Sequence, residues 1–462
     1  MFFRLAPPTP TPSPRVLATH HALRTLHLLS SHPPLVRDAQ DGNKILVFGG
    51  QGSGADFFND LHLLDLCDAP LRLQQLAAAG DPPFPRCSGT LTAVSVLGLP
   101  GTEVVALFGG SQGFFEGFSN SLCILRGDDS VSVGEAASQH KGLTWEEPIV
   151  EAACERDGVP DARWGHSAVS WRGKLILFGG SNTQHCFNDT WILDVSHKKP
   201  ERGEARARLV ATWRRLRTAG DARPPSRAGQ TVSLVGDSLY VFGGCHISDV
   251  FNDLWTLDLS EPEPTWRELH VSGRPPAPRV GHAAVVLGDR IVFSGGRGSP
   301  TAGTSGTFAT ADQGLATMQG LTFFEGGFAM LDVSRRRWMP IQHPVRGAKD
   351  ARRRASSDAA GDDAAAKDAG GDVVMEEADE HVLAEALAET EPAFGGAGDN
   401  FTSTVHVEFA VPPTAAGGGR GGQVWEHRTG HVMVPAKDGL LVIGGLAYNG
   451  EFQNDVQHIK VF

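Results

Sequence analysis

Five arginines open short stretches of similar composition: Arg86, Arg163, Arg227, Arg279 and Arg428. From four of them the first glycine of a Gly-Gly pair lies 16 residues on, at Gly179, Gly243, Gly295 and Gly444; from Arg86 to Gly109 the distance is 23. A guanidinium stays charged at any physiological pH and offers a rigid fork of donors that suits carboxylates. Such a set has two uses. It can bind acidic side chains of a partner, or each member can pair with a turn carboxylate or a backbone carbonyl beside it. A second group of reactive types is His185-Cys186 and Cys245-His246. Two imidazoles and two thiols suit zinc, and a softer variant suits iron, although this spacing matches no familiar metal motif. His166, His282 and His431 follow the repeated Arg-x-Gly, and Gln230 takes the equivalent place, so this position reads as a hydrogen-bonding core residue. The chain shows neither a phosphate-binding glycine loop nor a nucleophile elbow, because its glycines follow strands that lead into further strands.

The elements that must position these residues are written as a repeat. Six Gly-Gly pairs, at 49–50, 109–110, 179–180, 243–244, 295–296 and 444–445, each close a short apolar run. The fullest version is Arg227-Ala228-Gly229-Gln230, an apolar run, Ser238 to Phe242, Gly-Gly, Asn252-Asp253, Leu254 to Asp258, then Trp266. Short stretches of Val, Leu, Ile, Phe and Trp between Gly, Pro, Asn and Asp read as four antiparallel strands. Periods of tens of residues built from such sheets specify a propeller. Gly98-Leu99-Pro100-Gly101 marks a longer hairpin that accounts for the wider spacing after Arg86. In the first repeat Arg37 reaches Gly49 in only 12 residues, so its innermost strand reads as clipped. The fifth carries Gly326-Gly327 where the others have Asn-Asp, as at Asn59-Asp60, Asn188-Asp189 and Asn454-Asp455. Those dipeptides read as turns fixed by side-chain bonds to the backbone. Trp213, Trp266 and Trp338 fall where outer strands pack between sheets. After Asn454-Asp455 only one strand remains, so the last repeat holds three. Leu23 to Arg37 parallels Trp266 to Arg279, with Pro33-Pro34 matching Pro275-Pro276. The expectation is an all-β, six-bladed propeller of four-stranded antiparallel blades, closed by an N-terminal strand that completes the last blade.

This pattern resembles the kelch-repeat β-propeller family, and its Pro-x-Arg-x-Gly-His, Gly-Gly, Asn-Asp, Leu-Asp and Thr-Trp-Arg order is closest to plant and algal F-box/kelch proteins. No F-box is recognisable, and about 20 residues ahead of the first propeller strand leave no room for a BTB-like domain. The resemblance implies a non-enzymatic module that binds a protein or peptide through loops on one rim, as the substrate-recognition part of a ubiquitin-ligase-type complex. In some kelch receptors the arginine at the repeated position contacts acidic peptide side chains. The same role here would make Arg86, Arg163, Arg227, Arg279 and Arg428 the partner-binding residues, for an acidic ligand. The alternative within the family is an iron- or zinc-dependent enzyme or specifier-like protein. Against it, the specifier run Glu-x-x-x-Asp-x-x-x-His is missing, and Tyr240 and Tyr448 are the only tyrosines for a galactose-oxidase-like centre. No cofactor or metal is assigned.

Charge divides the chain unevenly. The formal net charge is −12, and residues 355–400 alone hold 13 Asp or Glu against one Lys, so the remainder is neutral. No nucleic-acid partner is expected. Residues 1–22 read as a Pro-rich tail, 23–342 as blades one to five with a Gly/Thr/Ser-rich loop insertion at 297–327, 343–427 as a largely disordered acidic insertion, and 428–462 as the last blade. Both insertions are expected to leave on one rim. A short helix at 376–389 and the basic cluster Arg352 to Arg354 lie within the acidic stretch. The six cysteines form no paired framework, which reads as free thiols in a reducing compartment, and no apolar run is long enough to cross a membrane. Cytoplasm or nucleus is the expected location.

Overall fold

The computed structural model describes residues 44–51, 57–65, 73–112, 117–127, 142–198, 208–247, 249–298, 322–323, 328–339, 341–342, 405–410, 428–436, 439–447 and 456–461. Among them every regular element is a β-strand. The chain divides into two units. Residues 1–342 with 405–462 form the first, which holds all the described strands, and the second, 343–404, lies outside the described residues.

The strands are arranged as consecutive antiparallel meanders. Lys44–Gln51, Phe57–Asp65 and Leu73–Leu76 make the first. Next come Thr90–Leu97, Glu103–Phe108, Leu122–Arg126 and Thr144–Glu146. Ser167–Trp171, Lys174–Phe178, Thr190–Lys198 and Arg208–Arg215 follow. Thr231–Val235, Ser238–Phe242, Leu254–Asp258 and Arg267–Glu268 repeat the plan, as do Ala283–Leu287, Arg290–Ser294, Phe328–Asp332 and Arg337–Met339. The last meander runs Val432–Ala436, Gly439–Ile443 and Val456–Val461. Glu103–Phe108 is buried along its whole length, as expected of a strand covered on both faces rather than one. Two departures enlarge the plan. Val195 and Ser196 pair in parallel with Val96 and Leu97, joining the second and third meanders at the longer hairpin. Ile149–Ala152 adds a parallel strand outside Arg208–Arg215.

Neighbouring meanders share apolar cores. Leu46, Phe48 and Leu61 of the first pack with Leu107, Leu125 and Trp145 of the second. Val104 and Phe108 pack with Leu177 and Trp213, Phe178 with Val241 and Trp266, Phe242 with Phe293 and Trp338, and Val292 with Leu440 and Ile459. Ile45, Val47 and Leu64 of the first also pack with Val432, Val434 and Leu441 of the last. The Gly-Gly pair is what permits this approach. Gly243 has φ +65°, and a Cβ there would sit 2.7 Å from the Arg279 carbonyl oxygen and 2.8 Å from His282 Cε1 of the following repeat. The N–H of Gly244 donates to that Arg279 carbonyl at 2.8 Å. Gly50, Gly110 and Gly180 make the same bond to Arg86, Arg163 and Arg227, each at 2.9 Å. A second belt links the Arg-x-Gly glycines: Gly229 N–H to Gly165 O, Gly281 to Gly229 and Gly430 to Gly281, at 2.8 to 2.9 Å.

The outer strand of the last meander differs from expectation. Val405–Ala410 pairs antiparallel with Val456–Val461, Val407 facing Val461 and Ala410 facing His458. The edge reserved for an N-terminal strand is therefore taken by residues from the 343–427 stretch read as an acidic insertion. Residues 23–37 lie outside the described residues, as do most of 297–327 and 343–427. Val-His-Val-Glu-Phe-Ala alternates apolar and polar side chains, the pattern of a strand covered on one face. Ile341–Gln342 lies parallel outside it.

Candidate functional site

In each meander the first two strands are antiparallel, and the start of one faces the end of the other: Thr90 faces Phe108, Ser167 faces Phe178, Thr231 faces Phe242 and Ala283 faces Ser294. Arg-x-Gly, just before the first strand, and the loop after Gly-Gly, just beyond the second, therefore meet at one edge. Isolated bridges join them at Cys87 with Ser111, Trp164 with Ser181, Ala228 with Cys245 and Val280 with Arg297. This edge is the mouth where the repeated arginines were expected to meet a ligand.

The guanidiniums do not reach it. Arg86, Arg163 and Arg227 are fully buried and Arg279 is 6% exposed. Arg227 donates from Nη1 to the Gly243 carbonyl at 3.0 Å and to Asp253 Oδ1 at 2.7 Å, from Nη2 to Asp253 Oδ2 at 2.7 Å, and from Nε to the Pro225 carbonyl at 2.9 Å. Arg163 repeats this with Gly179 at 3.0 Å, Asp189 at 2.6 and 3.1 Å, and the Asp161 carbonyl at 3.0 Å. Each lies over a phenyl ring, Phe251 at 4.3 Å and Phe187 at 4.0 Å. Both aspartates also accept a 2.7 Å bond from an indole, Trp255 or Trp191. The turn asparagine serves the next repeat, since Asn188 and Asn252 donate to the Pro224 and Pro276 carbonyls at 3.1 and 3.3 Å.

In two repeats the described partners of the arginine are a hydroxyl and carbonyls. Arg86 Nη1 donates to the Gly109 carbonyl at 3.0 Å and to Ser121 Oγ at 2.9 Å. Arg279 donates to the Gly295 and Ala277 carbonyls at 3.0 and 3.1 Å. Burial lowers the pKa of both guanidiniums, that of Arg279 to about 10. Assignment of Arg86, Arg163, Arg227 and Arg279 to partner binding is thus corrected. Their donors hold the Gly-Gly turn of their own repeat. The Arg428 backbone pairs with Ala447, and its side chain lies outside what is described. With these guanidiniums enclosed, the expectation of an acidic ligand loses its basis. The histidines behave as core residues: His166 and His282 are buried and bond the Thr90 and Thr231 hydroxyls at 3.0 and 2.9 Å.

The mouth is lined by side chains the repeat pattern did not single out. Phe118 stacks on Trp164, ring centroids 6.0 Å apart. Trp164 bridges Ser181, Ser181 bridges Cys186, and the Cys186 thiol lies 3.9 Å from the Cys245 carbonyl oxygen. The two halves of the proposed Cys/His cluster do come together across adjacent meanders. Among the described residues, however, no group of three His, Cys, Asp or Glu is placed to hold a metal ion. Burial pushes the Cys186 thiol up to about 11 and that of Cys245 to about 12. Beyond Cys245, a two-residue connection links Cys245–His246 to Asp249–Val250 and leaves Ile247 73% exposed. On another loop of this edge, two residues before Arg86, Phe84 is 67% exposed. Trp164 was visible in the sequence as the one aromatic at the x of Arg-x-Gly.

Fold and edge together define an all-β scaffold of propeller type. Residues 139–364 match the KLHDC2/KLHL20/DRC7 Kelch-repeats domain. Adagio-like protein 3 of Oryza sativa subsp. japonica is 39% identical over 141 residues, 30% of this chain and 20% of that protein. Adagio protein 3 of Arabidopsis thaliana is 35% identical over 169 residues, 34% and 25% of the two chains. The kelch-repeat match takes in just under half of the chain, and the chain spans a quarter or less of the length of those relatives. A structure titled "Structure of YjhT" covers 98% of each chain at TM-score 0.50 and 14% identity, which speaks to the fold alone.

Proposed function

We propose that the chain is a non-enzymatic, six-bladed kelch propeller that binds a protein or peptide at this mouth. Closure is supported by the shared core of Ile45, Val47 and Leu64 with Val432, Val434 and Leu441, which links the first meander to the last. The glycine belt running from Gly165 to Gly430 supports it further. One observation carries the binding role: Phe84 and Ile247, two of the five large hydrophobics exposed among the described residues, stand on loops of that one edge. Exposed apolar groups at loop tips are one feature that a binding face presents.

Similarity to Adagio proteins and the F-box/kelch-like order of the repeats support a ubiquitin-ligase role, with this chain as the recognition subunit. Capture of a purified cullin adaptor by the full chain tests that link. Retention supports it, and a clean negative removes the ligase role while leaving the binding mouth in place.

A further inference from the structure

The mouth carries a strip of mostly uncharged side chains, with His246 and the exposed Asp249 beside its Ile247 end. It runs from Phe118 through Trp164, Ser181, Cys186 and Cys245 by a ring stack, backbone bridges and a short contact, and then along the chain to Ile247. The guanidiniums of Arg86, Arg163, Arg227 and Arg279 are enclosed beneath it, bonded to Asp189 and Asp253 or to carbonyls, while Arg297 at the same edge is half-buried. An acidic ligand would find no guanidinium of Arg86, Arg163, Arg227 or Arg279 to pair with, and would lose hydration against thiols and rings.

Ile247 gives the strip its anchor. It sits at φ +53° in a two-residue hairpin connection between His246 and Asp249. Such connections favour Asn-Gly because positive φ crowds a Cβ, and a β-branched residue is a strong outlier there. The strain is not repaid by burial, since the side chain is 73% exposed. A residue that breaks the local turn rule and then faces solvent marks a functional site.

Resting on the mouth as a binding face, we infer that it recognises a peptide through uncharged aliphatic or aromatic side chains, one packing on Ile247 and another on the Phe118–Trp164 stack. Acidic side chains are not the feature read. The apolar side chain of Ile247 selects the ligand chemistry, and the aromatic stack supplies the flat surface that hot-spot side chains bury against.

A displayed library of random linear peptides, selected on the full chain, tests this. The expected result is a consensus with apolar or aromatic positions, whose peptides bind about tenfold or more weakly to Ile247→Gly and to Trp164→Ala. Glycine accepts positive φ, so Ile247→Gly keeps a Tm at or above that of the parent, and lost affinity cannot be assigned to misfolding. An Asp/Glu-rich consensus, or one indifferent to both substitutions, overturns the inference while the mouth stands as a peptide site. If no sequence is enriched over a bait-free selection, the binding reading fails and takes this one with it.

Discussion

Arg227→Ala separates an arginine that builds the mouth from one that serves a ligand. The substitution removes four hydrogen bonds of 2.7 to 3.0 Å to Asp253, Gly243 and Pro225, together with the guanidinium over Phe251. Asp253, whose side chain is 19% exposed, then faces a cavity with its charge uncompensated, although Trp255 still donates to it. Breaking a buried pair from one side costs about 3–5 kcal/mol. At roughly 2–4 °C per kcal/mol for domains of this order of size, Tm should fall by roughly 6 °C or more. Arg223→Ala, at an exposed position four residues earlier, is the control and should stay within about 0.5 kcal/mol of the parent. The assay is thermal unfolding of Arg227→Ala, Asp253→Ala, the double variant and the control. The double variant should lose less than the sum of the singles, because no orphan charge remains. A Tm for Arg227→Ala matching the control, with additive singles, would refute the structural role and return this arginine to the ligand.

Two further outcomes follow from the same chemistry. Ser121→Asp gives the second repeat the carboxylate that Asp189 and Asp253 supply to Arg163 and Arg227, and should raise stability by about 1–3 kcal/mol, read as a higher Tm. Cys87 and Cys245, pushed up to about 12 by burial, should resist iodoacetamide near pH ~8 until denaturant is added, whereas the exposed Cys154 is labelled in the native protein, as peptide mass mapping will read. Because these thiols ionise more easily unfolded, their contribution to stability is complete below the unfolded pKa of about 8.5 and is lost as pH rises toward 12.

The repeat was legible because its signals recur at fixed offsets. Arg to Gly at 16 residues is the Nη1 to carbonyl bond, and Arg to Asp at 26 is the ion pair. The second offset was present in the sequence at both Arg163 and Arg227, and it distinguishes a buried pair from a ligand site. Val405–Ala410 was missed for the opposite reason: it stands outside the repeat spacing, beside a stretch whose composition argues for disorder, and only its period-two alternation marks it. The edge proposed for binding was hidden by averaging. Aligning repeats brings out Arg, Gly and Asp and suppresses Trp164 and Ile247.

That suppression has a physical meaning. A scaffold of stacked repeats must make the same turn and the same inter-sheet bond in every repeat, so identical positions are the ones the fold requires. A ligand is not symmetric, and its recognition has to come from positions where repeats disagree. The x of Arg-x-Gly is Cys87, Trp164, Ala228, Val280 and Thr429 in turn, each bridged to the loop after a Gly-Gly pair or bordering it. Trp164→Ala installs the residue that the next repeat already carries at this position, one the local backbone demonstrably accepts. If the fold holds its Tm under that exchange while peptide affinity falls, sequence difference between repeats, rather than repeated charge, is where this protein keeps its specificity.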